Sequence, residues 1–189
     1  MWFADKRRAF RPALRLAALV IAAASTIAVD AQPMPPDVEV PEHVDRADTL
    51  AKARRMAQGD VAWIAAKTGW RTVSVPEIKT RTDRELSVMF FGVAEGFDGV
   101  TPLALYGREV HVLYVSDRLT FDNLIDQSIL MHELVHHMQI VNAVQAGCRE
   151  AEEAQAYRLQ VLWLTDHGVK APYTLLGIAP SEIESLVCH

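Results

Sequence analysis

Cysteine and basic charge are both scarce in this chain of 189 residues: there are two Cys, and 19 Lys and Arg stand against 24 Asp and Glu. Two cysteines permit one intrachain disulfide at most. A net charge of -5 gives no electrostatic footprint for nucleic acid. Beyond the amino end the chain has no apolar run near the roughly 20 residues that a membrane span requires. What is present is globular composition, 50% hydrophobic and 23% charged. The length suits one compact domain, and no internal repeat is visible.

The amino end differs from the rest. Lys6, Arg7, Arg8, Arg11 and Arg15 precede an apolar stretch from Leu16 to Val29 that is dominated by Ala, Leu, Val and Ile. Small residues follow, and Gln32-Pro33-Met34-Pro35-Pro36 stops any helix. This order predicts a secretory signal peptide over residues 1–31, cut after Ala31; an uncleaved anchor helix is the alternative. No Cys follows the apolar run, so no lipid attachment site is seen. Cleavage removes five basic and two acidic residues, which takes the net charge from -5 to -8. Such a chain is expected to be periplasmic or secreted, without stable membrane insertion. In an oxidising compartment Cys148 and Cys188 are expected to pair, the alternative being two small buried apolar side chains.

Residues 32–41 hold four prolines and read as an extended leader. Residues 42–189 read as one domain. Glu42 to Thr68 has helical periodicity, with Gly59-Asp60 a point where it could divide in two. Thr72–Val75 and Glu85–Phe91 read as strands from their alternation and β-branched content. Gly92 to Pro102 is a glycine-rich loop. Leu103–Tyr106 and Glu109–Val115 give further strands. Thr120 or Asp122 is expected to cap a helix through at least Met138, striped by Leu130, Met131, Leu134, Val135, Met138 and Val141. Arg149–Asp166 forms the next helix, stopped by Gly168, and Ser181 opens a last short one. The expected fold class is α+β: a small, mostly antiparallel sheet packed on the central helix and the one after it.

The central helix carries His132-Glu133-Leu134-Val135-His136. Two histidines four residues apart share one helical face, one turn above the other. Their imidazoles can converge on one zinc ion at about 2.0–2.1 Å each. Glu133 sits beside that face, placed to hold a water without ligating. The apolar residues inside and before the motif bolt the other side of the helix into a core. A catalytic zinc needs a third protein ligand. Gln139 and Asn142 stand where a metzincin would have its Gly and third His. That leaves an acid from the following helix: Glu150, Glu152 or Glu153.

At this point the sequence resembles the gluzincin family of zinc metallopeptidases, whose third ligand is a Glu on a following helix. Glu153-Ala154-Gln155-Ala156-Tyr157 matches that family's second motif, with Tyr157 where the family has an Asp that orients a ligating His. The resemblance spans roughly residues 85–165 and extends to small exported bacterial proteins of unassigned function. It implies a zincin-like domain with His132, His136 and Glu153 as zinc ligands. It also implies Glu133 as general base and Tyr157 as a phenol able to hydrogen-bond the His132 ring. Helix geometry agrees if the first helix ends near Asn142 and Ala143–Cys148 connects, because Glu153 can then reach the histidines.

The expected function is an exported zinc-dependent hydrolase, most readily a peptidase, acting on a peptide or protein. Zinc lowers the pKa of its water toward about 7, and Glu133 takes the proton as the water attacks a carbonyl. Tyr157, His137 and His111 are candidate oxyanion donors. Val110–Val115 is a candidate edge strand for holding an extended peptide. The competing expectation is a non-catalytic zinc-binding or cell-envelope interaction domain that keeps the motif for stability.

Overall fold

The structure is a computed structural model and describes residues 46–94 and 100–189. The expected signal peptide, the extended leader, the start of the first helix and the middle of the glycine-rich loop lie outside the described residues.

Along the chain come α1 (Arg46–Thr68), β1 (Glu77–Arg81), α2 (Asp83–Phe91), β2 (Ala104–Gly107), β3 (Val112–Ser116), α3 (Leu124–Val141) and α4 (Arg149–Asp166). Two short helices follow, α5 (Pro172–Leu176) and α6 (Pro180–Glu184). The class is α+β with one small sheet, ordered β1-β3-β2. Among the described residues no helix is long and apolar enough to cross a membrane.

The core is built around α3. Leu130, Met131, Leu134, Val135 and Met138 have no exposed surface. Each such side chain contributes about 1.5–3 kcal/mol on burial. The helix packs against α1, α4 and β2, so it is covered on nearly every side rather than along one stripe. Cross-helix contacts with α4 run in opposite order: Gln139 meets Glu152 and Gln155, while Ser128 and His132 meet Gln160. The two helices are therefore antiparallel. The turn between them spans residues 143–148, and Cys148 at its end is bonded to Cys188.

Several local expectations differ from the structure. The strand expected at Thr72–Val75 is irregular chain, and β1 begins only after Pro76. The strand expected at Glu85–Phe91 is helix α2. Thr82 and Glu85 form a reciprocal capping box, and Gly92 closes the helix in the left-handed region at φ 74°. Two satisfied ends outweigh the β-propensity of an alternating run. Gly59-Asp60 does not divide α1, because the Asp60 carboxylate faces inward and accepts from Trp163 Nε1 at 2.9 Å. The cap of α3 is Asn123, not Thr120 or Asp122. Its side chain accepts from the Asp126 amide, while the Asp126 carboxylate accepts from the amides of Thr120 and Phe121. The last helix opens on Pro180, one residue before Ser181, since proline suits a first helical position.

The sheet is mixed rather than mostly antiparallel: β2 pairs antiparallel with β3, but β1 pairs parallel with it. The 30-residue passage between them, with α2 inside it, is long enough for a parallel crossover. The segment Val110–Val115 is consequently no edge. β3 lies in the middle of the sheet, buried on both faces. Among the described residues the edge strands are β1 and β2.

Candidate metal centre

His132 and His136 lie on successive turns of α3, both buried, and Glu153 reaches them from the second turn of α4. His132 Nε2 and His136 Nε2 stand 3.2 Å apart. Glu153 Oε2 lies 3.4 Å from each. Ligands at about 2.0–2.1 Å from a tetrahedral zinc are about 3.3–3.4 Å from one another. The three atoms thus form one face of a tetrahedron of zinc size. They are the group of described His, Cys, Asp and Glu residues able to hold a metal ion together.

The far sides of both rings are tied. His132 Nδ1 meets Gln160 Oε1 at 3.1 Å, and His136 Nδ1 meets Gln139 Oε1 at 2.9 Å. The two amides are oriented by what their nitrogens do. Gln139 Nε2 donates to the Glu152 carbonyl and to Gln155 Oε1. Gln160 Nε2 donates to Ser128 Oγ, which itself donates to the Ile125 carbonyl. Each glutamine therefore presents an acceptor to its histidine, and each Nδ1 carries the proton. The two Nε2 atoms are left as lone pairs that face each other and a carboxylate. Three acceptors converging in a buried space require a cation or a shared proton among them. Burial pulls the His136 pKa down, but Glu153, with Glu133 and Gln139 behind it, more than restores it and the net direction is upward. For Glu153, burial works to raise the pKa, yet the two imidazoles hold its carboxyl well below the usual carboxylate range.

Glu133 is buried and lines a cavity beside the triangle, together with His136 and Glu153. It is not one of the converging three. Among the other acids of α4, Glu152 faces the same cavity and accepts from the Arg108 guanidinium, while Glu150 is exposed. Tyr157 packs edge-on against His132, ring centroids 4.7 Å apart. Burial, together with the charges of Glu153 and Glu133, pushes its phenol pKa up, so it keeps its proton. The ring nitrogen that Tyr157 was expected to hold is held by Gln160, seven residues beyond Glu153 and two turns along the same face.

His137 and His111 serve a different network. His137 Nε2 donates to the Ser74 carbonyl at 2.9 Å, so its Nδ1 accepts from the Tyr106 hydroxyl at 2.9 Å. The Tyr106 oxygen accepts in turn from His111 Nδ1 at 2.7 Å. Burial pushes Tyr106 up to about 12 and His137 downward. This chain ties β2 and the segment before β1 to α3. Sequence reasoning missed Gln139, Gln160 and Tyr106. The first two were accessible from spacing, at three residues past His136 and seven past Glu153.

Residues 46–180 match one family model, described as a domain of unknown function (DUF6647). No curated protein and no solved structure matches the chain.

Proposed function

The chain belongs to the DUF6647 family, and from its site we propose an exported zinc-dependent hydrolase, a gluzincin-like metallopeptidase acting on peptide or protein substrates. One observation carries the reading: three buried acceptor atoms form a triangle with sides of 3.2, 3.4 and 3.4 Å, and both rings are locked with Nε2 inward. The donor set, two imidazoles and one carboxylate, is that of catalytic zinc sites that keep a position for water.

His132, His136 and Glu153 would hold the ion. Zinc there would supply Lewis acidity, making a water acidic near neutral pH and polarising a carbonyl. Glu133, lining the cavity beside the ligands, takes the proton of the attacking water on its carboxylate and delivers it to the leaving amine. Tyr157 keeps its phenolic proton and offers it as a hydrogen bond to negative charge near Glu133. Gln139 and Gln160 hold the two imidazoles in the ligating tautomer. The edge strand β2 contributes Leu105 and Tyr106 to the cavity wall, so an extended peptide added to that edge passes over the site. The Cys148–Cys188 bond supports an oxidising, exported setting.

A second reading, a metal that only stabilises the fold, draws support from the depth of His132, which has no exposed surface. One experiment separates the two: metal analysis and peptide-mixture hydrolysis on wild type, Glu153→Ala and Glu133→Gln. The hydrolase reading expects about one zinc in wild type and Glu133→Gln, little in Glu153→Ala, and turnover lowered roughly 10²–10⁴-fold by Glu133→Gln. Zinc-loaded wild type that cleaves nothing, or turnover that survives Glu133→Gln, refutes it.

A further inference from the structure

Resting on the hydrolase reading, we propose that the cavity selects substrates bearing a carboxylate next to the scissile bond, and that Arg108 and Arg149 bind it. The cavity is lined by Glu133, His136, Glu152 and Glu153, and Arg108 and Arg149 line the same space. Phe90, Pro102 and Leu105 add apolar surface to the lining. Two arginines in the lining of one small cavity stand out on a chain with an excess of acid.

Neither arginine is placed there by the needs of its own element. Arg149 is the first residue of α4, where the helix dipole disfavours a cation, and Cys148 before it makes no side-chain cap. It lies three and four residues before Glu152 and Glu153, on the same helical face. Arg108 directly follows β2, at the point where a peptide laid along that edge leaves the sheet. Its guanidinium donates to Glu152 through Nη2. A guanidinium has five N–H donors in a rigid planar fork, so this pair steadies the head and leaves donors for a second carboxylate. Arg108 is ion-paired with Glu152, whereas Arg149 is exposed, so its head is free to turn from its helix neighbours toward a substrate anion. The amides of the first turn of α4 add partial positive charge of the same sense.

A carboxylate beside the scissile bond has two sources. It is the chain end of a short peptide, which then runs parallel to β2 with its carboxyl terminus at Arg108, or it is an Asp or Glu side chain within a longer one.

Calorimetric titration of zinc-loaded Glu133→Gln protein reads binding without turnover. Three acetylated hexapeptides of Ala, Leu and Ser serve as probes: one with a free carboxyl terminus, one amidated, and one amidated with a central Glu. The free-carboxyl peptide, the Glu peptide or both should bind about tenfold more tightly than the neutral amide, and the pair that differs identifies the source. Arg108→Gln and Arg149→Gln should each erode that preference. Arg149→Glu, a change at an exposed residue that leaves the fold intact, should turn it toward a peptide with a central Lys. Equal binding of all three probes, binding of none, or a preference that outlasts both arginine replacements overturns the inference. Hydrolysis reports separately. Wild type that cleaves neutral and acidic peptides at equal kcat/KM sinks the carboxylate site and keeps the hydrolase. Carboxylate-dependent binding by a protein that cleaves nothing does the reverse.

Discussion

Replacing Gln160 with leucine strikes the candidate metal centre without touching His132, His136 or Glu153. Gln160 has no exposed surface, and its amide bridges His132 Nδ1 and Ser128 Oγ at 3.1 Å each. Leucine is of similar volume, so packing changes little and two buried polar groups lose a partner. Each group left unsatisfied costs about 1–3 kcal/mol, which predicts a visible drop in the stability of the metal-free protein. The imidazole also loses the acceptor that keeps its proton on Nδ1 and its lone pair on the metal side. Removal of such a partner typically lowers zinc affinity about 10–100-fold, or about 1.4–2.8 kcal/mol. The assay is competition for zinc against a chromophoric chelator at fixed pH, with thermal unfolding in excess chelator to isolate the fold. Ser128→Ala is the control. It removes the hydroxyl that orients the Gln160 amide but keeps the amide beside His132, so it should cost about 1–3 kcal/mol of stability and lower zinc affinity less than Gln160→Leu does. Gln160→Leu protein that unfolds cooperatively and binds zinc as wild type does would refute the tautomer argument on which the metal centre rests.

Asp60 should make stability depend on pH. Burial raises its carboxyl to about 6. Since the folded protein favours the protonated form, the contribution is full below the ordinary carboxylate range and is lost as pH rises through about 6, on the order of 3 kcal/mol. Asp60→Asn keeps an acceptor for Trp163 and should be the more stable protein at pH 8, with the margin gone by pH 4. Parallel urea-unfolding midpoints for the two proteins at both pH values contradict this. The Cys148–Cys188 bond spans a sequence separation of 40, and by loop entropy Cys188→Ser should lose about 4 kcal/mol. The check is its unfolding midpoint beside the mass of the unreduced wild type, which should show no alkylatable thiol.

The helices that carry the site were legible because their signals are local. The His132–His136 spacing, the apolar run through Met138 and the break near Asn142 each sit within a few turns of α3. The disulfide followed from two cysteines and the expectation of export. Helix α2 was misread even though its signal was also local. Leu86, Val88 and Phe90 alternate as a strand does, but Thr82 followed by Glu85 is a capping box, and both of its hydrogen bonds are made. The position of β3 depended on a partner more than 30 residues away, β1, which no pattern within Val112–Ser116 names. Its near-continuous apolar character did hint at burial on both faces. The residue that meets His132 could not be settled by motif matching. Tyr157 and Gln160 are both on the inner face of α4, and the orientation of one imidazole decides between them.

Helix α3 both carries the candidate metal ligands and forms the centre of the core: His132, Glu133 and His136 are buried among Met131, Leu134 and Val135. Heredity acts on such a helix under two constraints at once. A descendant that lost turnover would still need nearly every residue of the motif to stay folded, so the motif would long outlive the chemistry. If the proposed hydrolysis holds, active and inactive family members should differ less along α3 than around the cavity mouth, where Arg108 and Arg149 can change without disturbing the core. Variation at those rim positions would be the informative record of what each member acts on.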